Sequence, residues 1–409
     1  MPLRRILFGL LLLFLTPAWG ADSTLILVSL DGFRWDYLEK YQAETPCLRQ
    51  LAADGVRAEH LISCFPSSTF PNHYSIVTGL RPEHHGIIYN SFYDPALDAV
   101  FNYHTHECVI DGRWWGGEPV WATAGKQGMR SACMFWPGSE AEIAGARPTY
   151  YQAFDGSVTC AQRVDGLLQW LSLPADQRPT FCTLYLDVVD HAGHDHGPDA
   201  PETAVAVRDV DAAMERLRTG LAARGLRETT NLIIISDHGM TSVPDGHLLF
   251  LDDFVDLAAV KIDFLGVQAG LRPLSGSPGA LKARIMPVLP AHVHLYLREE
   301  IPERLHFRDN PRIPPLVILA DEGWEIATRA SFEKRTKPEH GDHGYDPALP
   351  NMGATFIANG PAFRHGIVLP PFENIHIYNL LCTVLGLKPS PNDGDDRLVH
   401  TALLAPPPR

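Results

Sequence analysis

Long apolar runs are almost missing from this sequence, and their scarcity argues against a protein that weaves through a membrane. The one stretch of note is Ile6 to Leu15, which follows Arg4 and Arg5 and is too short to cross a bilayer unaided. A Lys/Arg stripe is also missing. With a net charge of -14 the chain lacks the basic footprint that polyphosphate binding needs, so nucleic-acid scaffold binding is excluded, while a small phosphorylated substrate held by cations stays compatible. No CxxC pair occurs among Cys47, Cys64, Cys108, Cys133, Cys160, Cys182 and Cys382, and their odd number leaves at least one thiol out of any disulfide scheme, so pairing cannot be assigned. Internal repeats are absent, and low complexity is confined to the PPPR after Ala405.

What is there begins with an export signal. Arg4 and Arg5, the apolar run and Ala18-Trp19-Gly20 as a small-x-small cleavage site predict a secretory signal over residues 1–20. A retained N-terminal anchor is the other reading of the same run. The mature chain is expected to be exported, periplasmic or secreted, with no stable anchor after cleavage. A length of 409 residues with 45% hydrophobic content is enough to bury a sizeable core.

Three β-rich apolar runs end alike. Leu25 to Leu30 stops at Asp31-Gly32, Phe181 to Leu186 at Asp187, and Asn231 to Ser236 at Asp237-His238-Gly239. Continuous runs of this kind read as strands buried on both faces, the mark of a parallel sheet. Helical patterns lie between them over Thr45 to Ala53, Val164 to Leu171 and Ala204 to Ala223. The alternation predicts a doubly wound α/β domain, in which ligands bind outside the carboxyl ends of the strands. Residues 90–151, rich in Trp and Gly with little periodicity, read as loops covering a pocket. Residues 241–335 read as a small inserted α+β lobe, and 401–409 as a tail, leaving one catalytic domain over 21–400.

The chemistry-bearing residues gather at those strand ends. Phe65 to Leu80 contains Pro71, suited to the first turn of a helix, and Gly79, a natural stop. Thr69 then sits at the mouth of a helix, where unpaired N–H groups and the positive dipole end favour a phosphoryl group. Taken alone, Thr69 reads as an N-cap. Asp190 and His194, Asp237-His238 and the Gly-rich turn with Asp342-His343 change the balance, because Asp with His and no Cys is a ligand set for a catalytic divalent ion, zinc most readily. His84-His85, His104 with His106, and His292 with His294 are read as structural or solvated, and His191 and His196 as groups behind the ligands.

These stretches carry a resemblance. LDGFRWDYL, FPSSTFPNHYSIVTGLRPEHHGI, the DxxxH of Asp190 to His194, SDHGM, HGDHGYDP and IYNLLCTVLGLKPSPNDG together resemble the nucleotide pyrophosphatase/phosphodiesterase family of the alkaline-phosphatase superfamily, from about Leu25 to Asp393. The resemblance implies an alkaline-phosphatase-like, doubly wound, mostly parallel sheet flanked by helices. It also implies two Zn2+ ions, one on Asp190, His194 and His343, the other on Asp31, Asp237 and His238 with Thr69 completing it as nucleophile. Asn90 would hydrogen-bond a non-bridging phosphate oxygen, together with N–H groups at the Phe70 end of the helix. Phe70 and Tyr185 would sandwich a nucleobase, with Phe154 lining the same pocket.

Ser68 stands where many relatives carry Lys, and Asp187-Val188-Val189 replaces a frequent acidic pair, so substrate preference is where this chain departs. The activity implied is hydrolysis of nucleotide phosphodiester and pyrophosphate bonds, ATP to AMP and diphosphate for example, through a phosphothreonine. A choline- or lipid-phosphodiester hydrolase on the same core is the alternative. A sulfatase or phosphonate hydrolase lacks support because Thr69 is not in a C-x-P-x-R setting, and a non-catalytic binding protein lacks support because no ligand position is lost.

Overall fold

The computed structural model describes residues 23–404. The signal sequence inferred for residues 1–20 therefore lies outside the described residues, as does the PPPR tail. The central feature is an eight-stranded sheet with the strand order Ile367–Leu369, Val56–Ala58, Phe356–Asn359, Thr230–Ile235, Thr24–Leu30, Phe181–Leu186, Ser131–Met134, Tyr150–Gln152. All neighbours pair in parallel except Phe356–Asn359, which runs antiparallel to both strands beside it.

The apolar runs became the middle of this sheet because they can bury both faces. Along Thr24–Leu30, Leu25 and Leu27 enter one core while Ile26, Val28 and Leu30 enter the other, the two-residue period of a strand. Helices Pro46–Asp54, Cys160–Leu171 and Pro201–Ala223 cover the second core. Helices Thr69–Thr78, Val120–Lys126 and Ile377–Leu385 cover the first. The result is an α/β domain with a mostly parallel, doubly wound sheet.

Two of the three helices start upstream of their apolar periodicity. Cys160–Leu171 begins four residues before Val164 because Thr159 and Gln162 form a reciprocal capping box. Pro201–Ala223 begins at a proline that fits the first helical turn. The stretch 90–151, read from the sequence as loops, also supplies Val120–Lys126 and two strands of the main sheet, Ser131–Met134 and Tyr150–Gln152. Those strands are four and three residues long, too short to show a period. The chain is still helical at Ala402, within the segment taken as a tail.

A second sheet, antiparallel, joins Val260–Phe264, Gln268–Pro273, Leu316–Ala320 and Val293–Leu297 in that order. With helix Pro278–Ile285 it encloses its own core around Leu271, Leu281 and Ile318. Arg312 ties this unit to the main one, reaching Asp94 at 2.6 Å, the carbonyls of Gly86 and Trp114 at 2.8 and 2.6 Å, and the ring faces of Phe92 and Trp114.

Candidate metal centre

Each acidic strand end delivers a side chain to one place. Asp31 follows Thr24–Leu30, and Asp237-His238 follows Thr230–Ile235. Helix Val188–His196, which starts just past Phe181–Leu186, carries Asp190 and His194 four residues apart on one face. His343 comes in from a turn secured where Gly341–Asp342 pairs with Thr241–Ser242. Thr69 is the first residue of Thr69–Thr78, its N-cap being the extended Ser68, and Gly79 ends that helix in the left-handed region at φ 68°.

The seven residues converge. His194 and His343 place Nε2 at 3.5 and 3.6 Å from Asp190 Oδ1. His238 Nε2 lies 3.4 Å from Asp31 Oδ1, 3.0 Å from Asp237 Oδ2 and 3.3 Å from Thr69 Oγ1. Ligand atoms of Asp190, His194 and His343 lie within 4.8 Å of one another, and so do those of Asp31, Asp190 and His238. The His238 and His343 rings stack at 3.6 Å.

Backbone carbonyls set the tautomer of all three histidines. Nδ1 donates to Gly341 O in His194 (2.9 Å), to Gly239 O in His238 (2.8 Å) and to Ser67 O in His343 (2.9 Å). A carbonyl can only accept, so Nδ1 carries the hydrogen, and in the neutral ring each Nε2 offers a lone pair to the cluster. Facing these are Asp31 Oδ1, Asp190 Oδ1 and Asp237 Oδ2, all buried and without a hydrogen-bond partner. Buried carboxylate oxygens are costly unless a cation meets them, so the donor set fits divalent ions. Their electrostatics show the same frustration. Burial, then the Asp237 and Asp190 charges, push Asp31 well above the ordinary carboxyl range. Burial also acts against ionisation of Asp237, but His238 and His73 outweigh it and hold that carboxyl well below its usual value. Burial likewise opposes the charged form of His194, yet Asp190 and then Glu339 raise it to about 10.

His73 is a member of the cluster that motif reading passed over. It is fully buried, with Nδ1 at 2.9 Å from Thr69 O and 3.3 Å from Asp237 Oδ2, and Nε2 at 2.8 Å from Ser29 Oγ. Its position one helical turn after Thr69 is the signal that could have found it. His191 and His196, taken as groups behind the ligands, are exposed. His84 bonds Asp393, His85 bonds Ser75, and His292 and His294 share Asp321, all outside the cluster.

The pocket side differs from the sequence reading in two respects. The Phe70 N–H, counted as a phosphate donor, is already given to Asn90 Oδ1 at 2.9 Å; that bond orients the Asn90 amide and leaves its Nδ2 as the donor. Tyr185, counted as a stacking face, is only 9% exposed and donates its hydroxyl to Asp31 Oδ2 at 2.5 Å. The open aromatic surface beside it belongs to Phe154, 52% exposed, whose ring centre is 6.2 Å from that of Tyr185. Phe70 is half-buried against Phe101, Tyr103 and Trp115. Beneath Phe154 lies Arg163, 1% exposed, which donates to Tyr185 O and pairs with Asp187 at 3.0 Å. Asp187 thus has a structural partner in Arg163.

Comparison with known proteins follows the same lines. The family profile for type I phosphodiesterase/nucleotide pyrophosphatase matches residues 25–346. Mouse ectonucleotide pyrophosphatase/phosphodiesterase family member 1 is 40% identical over 95% of this chain and 44% of its own length. A pyrophosphatase/phosphodiesterase of Schizosaccharomyces pombe is 40% identical over 91% of this chain and 79% of its own. The chain thus spans less than half the length of the mammalian relatives it matches. Among solved structures, murine ectonucleotide pyrophosphatase/phosphodiesterase 5, as an inactive threonine-to-alanine variant in complex with AMP, superposes with a TM-score of 0.86 at 33% identity, covering 93% of this chain and all of that one.

Proposed function

This chain belongs to the type I phosphodiesterase/nucleotide pyrophosphatase family and has its alkaline-phosphatase-like fold, and from that premise we propose that it is an exported, zinc-dependent hydrolase of nucleotide phosphodiester and pyrophosphate bonds. The observation that carries the reading is the Thr69 hydroxyl at a helix N-terminus, 3.3 Å from His238 Nε2 and beside three buried carboxylate oxygens that accept no hydrogen bond. Asp190, His194 and His343 would hold one ion, and Asp31, Asp237 and His238 the other. Two zinc ions in such a site lower the pKa of a bound hydroxyl and offset charge on the attacking and leaving oxygens.

The chain's own residues do the rest. Thr69 Oγ1 attacks phosphorus in line and gives up its proton to solvent, forming an O–P bond as the bond to the leaving alkoxide or diphosphate breaks; water then cleaves the Thr69 O–P bond, restoring the hydroxyl and releasing the nucleoside monophosphate. Asn90 Nδ2, oriented by the Phe70 N–H, donates to a non-bridging oxygen. Phe154 and Phe70 offer faces for a base such as that of the AMP in the murine relative. Tyr185 holds Asp31 through its hydroxyl, and His73 Nδ1 lies 3.3 Å from Asp237 Oδ2. No helix among the described residues is long and apolar enough to cross a membrane.

One observation favours a second reading. Glu140 is buried next to Phe154, accepting the Phe154 N–H at 3.0 Å with Oε1, and its Oε2 has no hydrogen bond. An aromatic face with a nearby carboxylate also suits a choline phosphodiester.

The test is a hydrolysis panel at matched pH and zinc: a nitrophenyl nucleotide diester, ATP, a choline phosphodiester and nitrophenyl phosphate. The nucleotide diester should lead in kcat/KM and the monoester should trail. A monoester's extra charge calls for another cation, and Arg113, one of the arginines within residues 90–151, is forked onto Asp111 at 2.7 to 3.1 Å. Thr69→Ala should lower turnover at least about a thousandfold, with Thr69→Ser recovering part of it. A monoester preference, or near wild-type turnover in Thr69→Ala, would overturn the proposal; a lead for the choline diester would move it to the second reading.

A further inference from the structure

We propose that Glu339 is a positioning residue for the cluster of Asp190, His194 and His343, its carboxylate steadying the imidazole of His194 against the ion that cluster would hold; the inference rests on the metal reading above. Glu339 Oε2 lies 3.2 Å from His194 Nδ1, the nitrogen whose N–H also donates to Gly341 O. His238 and His343 meet a backbone carbonyl at the equivalent nitrogen. An imidazole that coordinates through Nε2 gains positive character at Nδ1–H, and a carboxylate there makes it a stronger and better oriented ligand.

Charge balance between the two clusters gives the contact a purpose. Asp31 and Asp237 bring two carboxylates to one ion, whereas Asp190 brings a single carboxylate to the other. Glu339 supplies a second negative charge behind the poorer cluster. The short segment that carries it is fastened on both sides. Arg335 pairs with Glu325 at 2.6 Å, Lys337 pairs with Asp195 on the same helix as His194, and His340 N donates to His194 O at 2.8 Å. The carboxylate is therefore held in place before any ion arrives, the condition under which such a group improves affinity.

The experiment uses the full protein loaded with zinc and titrated with a graded series of chelators, zinc content being read by elemental analysis. Wild type should release its ions in two steps. Glu339→Ala should move one step by about ten- to hundredfold and leave the other where it was. Glu339→Gln, which keeps an acceptor and removes the charge, should fall between. His194→Ala combined with Glu339→Ala should release zinc no more readily than His194→Ala alone, because the glutamate acts through that ring. Two steps unchanged in Glu339→Ala, both steps shifted alike, or an additive double variant would each overturn the assignment. A wild-type protein that binds no divalent ion would overturn the metal reading itself, an outcome distinct from a wild type that binds two ions and a variant that binds them equally well.

Discussion

Replacing Tyr185 with Phe removes one oxygen atom and separates two roles that the residue could have. The ring would stay, packed edge-on against His73 at 5.1 Å, so any stacking surface is preserved. The hydroxyl that donates to Asp31 Oδ2 at 2.5 Å would go. Burial, then the Asp31 charge, keep that phenol well above its ordinary pKa, so in the wild type it is a donor at every working pH. A hydrogen bond to a charged acceptor contributes about 1.5 to 3 kcal/mol. Loss of a group that orients a metal ligand lowers metal affinity by about ten- to hundredfold, equivalent to about 1.4 to 2.8 kcal/mol. The two routes agree because both describe the same event, a buried carboxylate left with neither oxygen hydrogen-bonded by a side chain. Chelator competition on Tyr185→Phe should therefore show one ion held about ten- to hundredfold more weakly. Since the lost bond stabilises the ionised form of Asp31, metal binding should also fail at a higher pH than in wild type. KM for nucleotides should change little. Metal affinity within twofold of wild type, with KM the parameter that moves, would refute the argument and return Tyr185 to the base-binding surface.

Three further outcomes follow from the same geometry. Phe154→Ala should raise KM for nucleotide diesters about ten- to hundredfold, the worth of roughly 1 to 3 kcal/mol of base stacking, and should spare a diester without a base; equal losses on both would remove the base from the pocket. Phe70→Ala should act in the same direction with kcat little changed, because the backbone N–H that orients Asn90 remains; a kcat loss as large as the rise in KM would mean that the ring itself holds that N–H in place. His85 accepts the Ile87 N–H at Nδ1 and faces Ser75 through Nε2, an arrangement that requires the neutral ring, and burial lowers its pKa to about 3. The unfolded chain takes up that proton near the ordinary 6.5, so the stabilisation is present above that pH and is lost as pH falls from 6.5 toward 3, by about 2 kcal/mol at pH 4.5. Urea unfolding at pH 6.5 and 4.5 should show that loss in wild type and not in His85→Gln; an identical acid slope in the variant would exclude His85 as its source.

The parts of the fold that were legible are those encoded within a few residues. Leu25 to Leu30 declares a strand because every residue in it can be buried, and the apolar run stops at Asp31, whose carboxylate is buried too but faces the cluster of His and Asp side chains. Ser131–Met134 occupies the same sheet with four residues and says nothing of the kind. The capping box of Thr159 and Gln162 is equally local, a polar spacing that marks the start of its helix ahead of the apolar one.

The site divides along a different line. Asp31, Thr69, Asp190, His194, Asp237, His238 and His343 could be picked out because each lies beside a recognisable strand end, helix start or Gly-rich turn. Their partners could not, because those contacts join residues far apart in the chain. Nothing near Tyr185 states that its hydroxyl meets Asp31, nothing near Glu339 states that its carboxylate meets His194, and nothing near Asn90 states that it takes the N–H of Phe70. Under the proposed function those partners would orient a ligand ring, leave one oxygen free to meet a cation and aim one amide hydrogen at the substrate. A reading by motif therefore reaches the class of reaction before it reaches substrate preference. In this chain the surface where motif and packing part company is the exposed Phe154 with Glu140 beside it and the buried Arg163–Asp187 pair beneath.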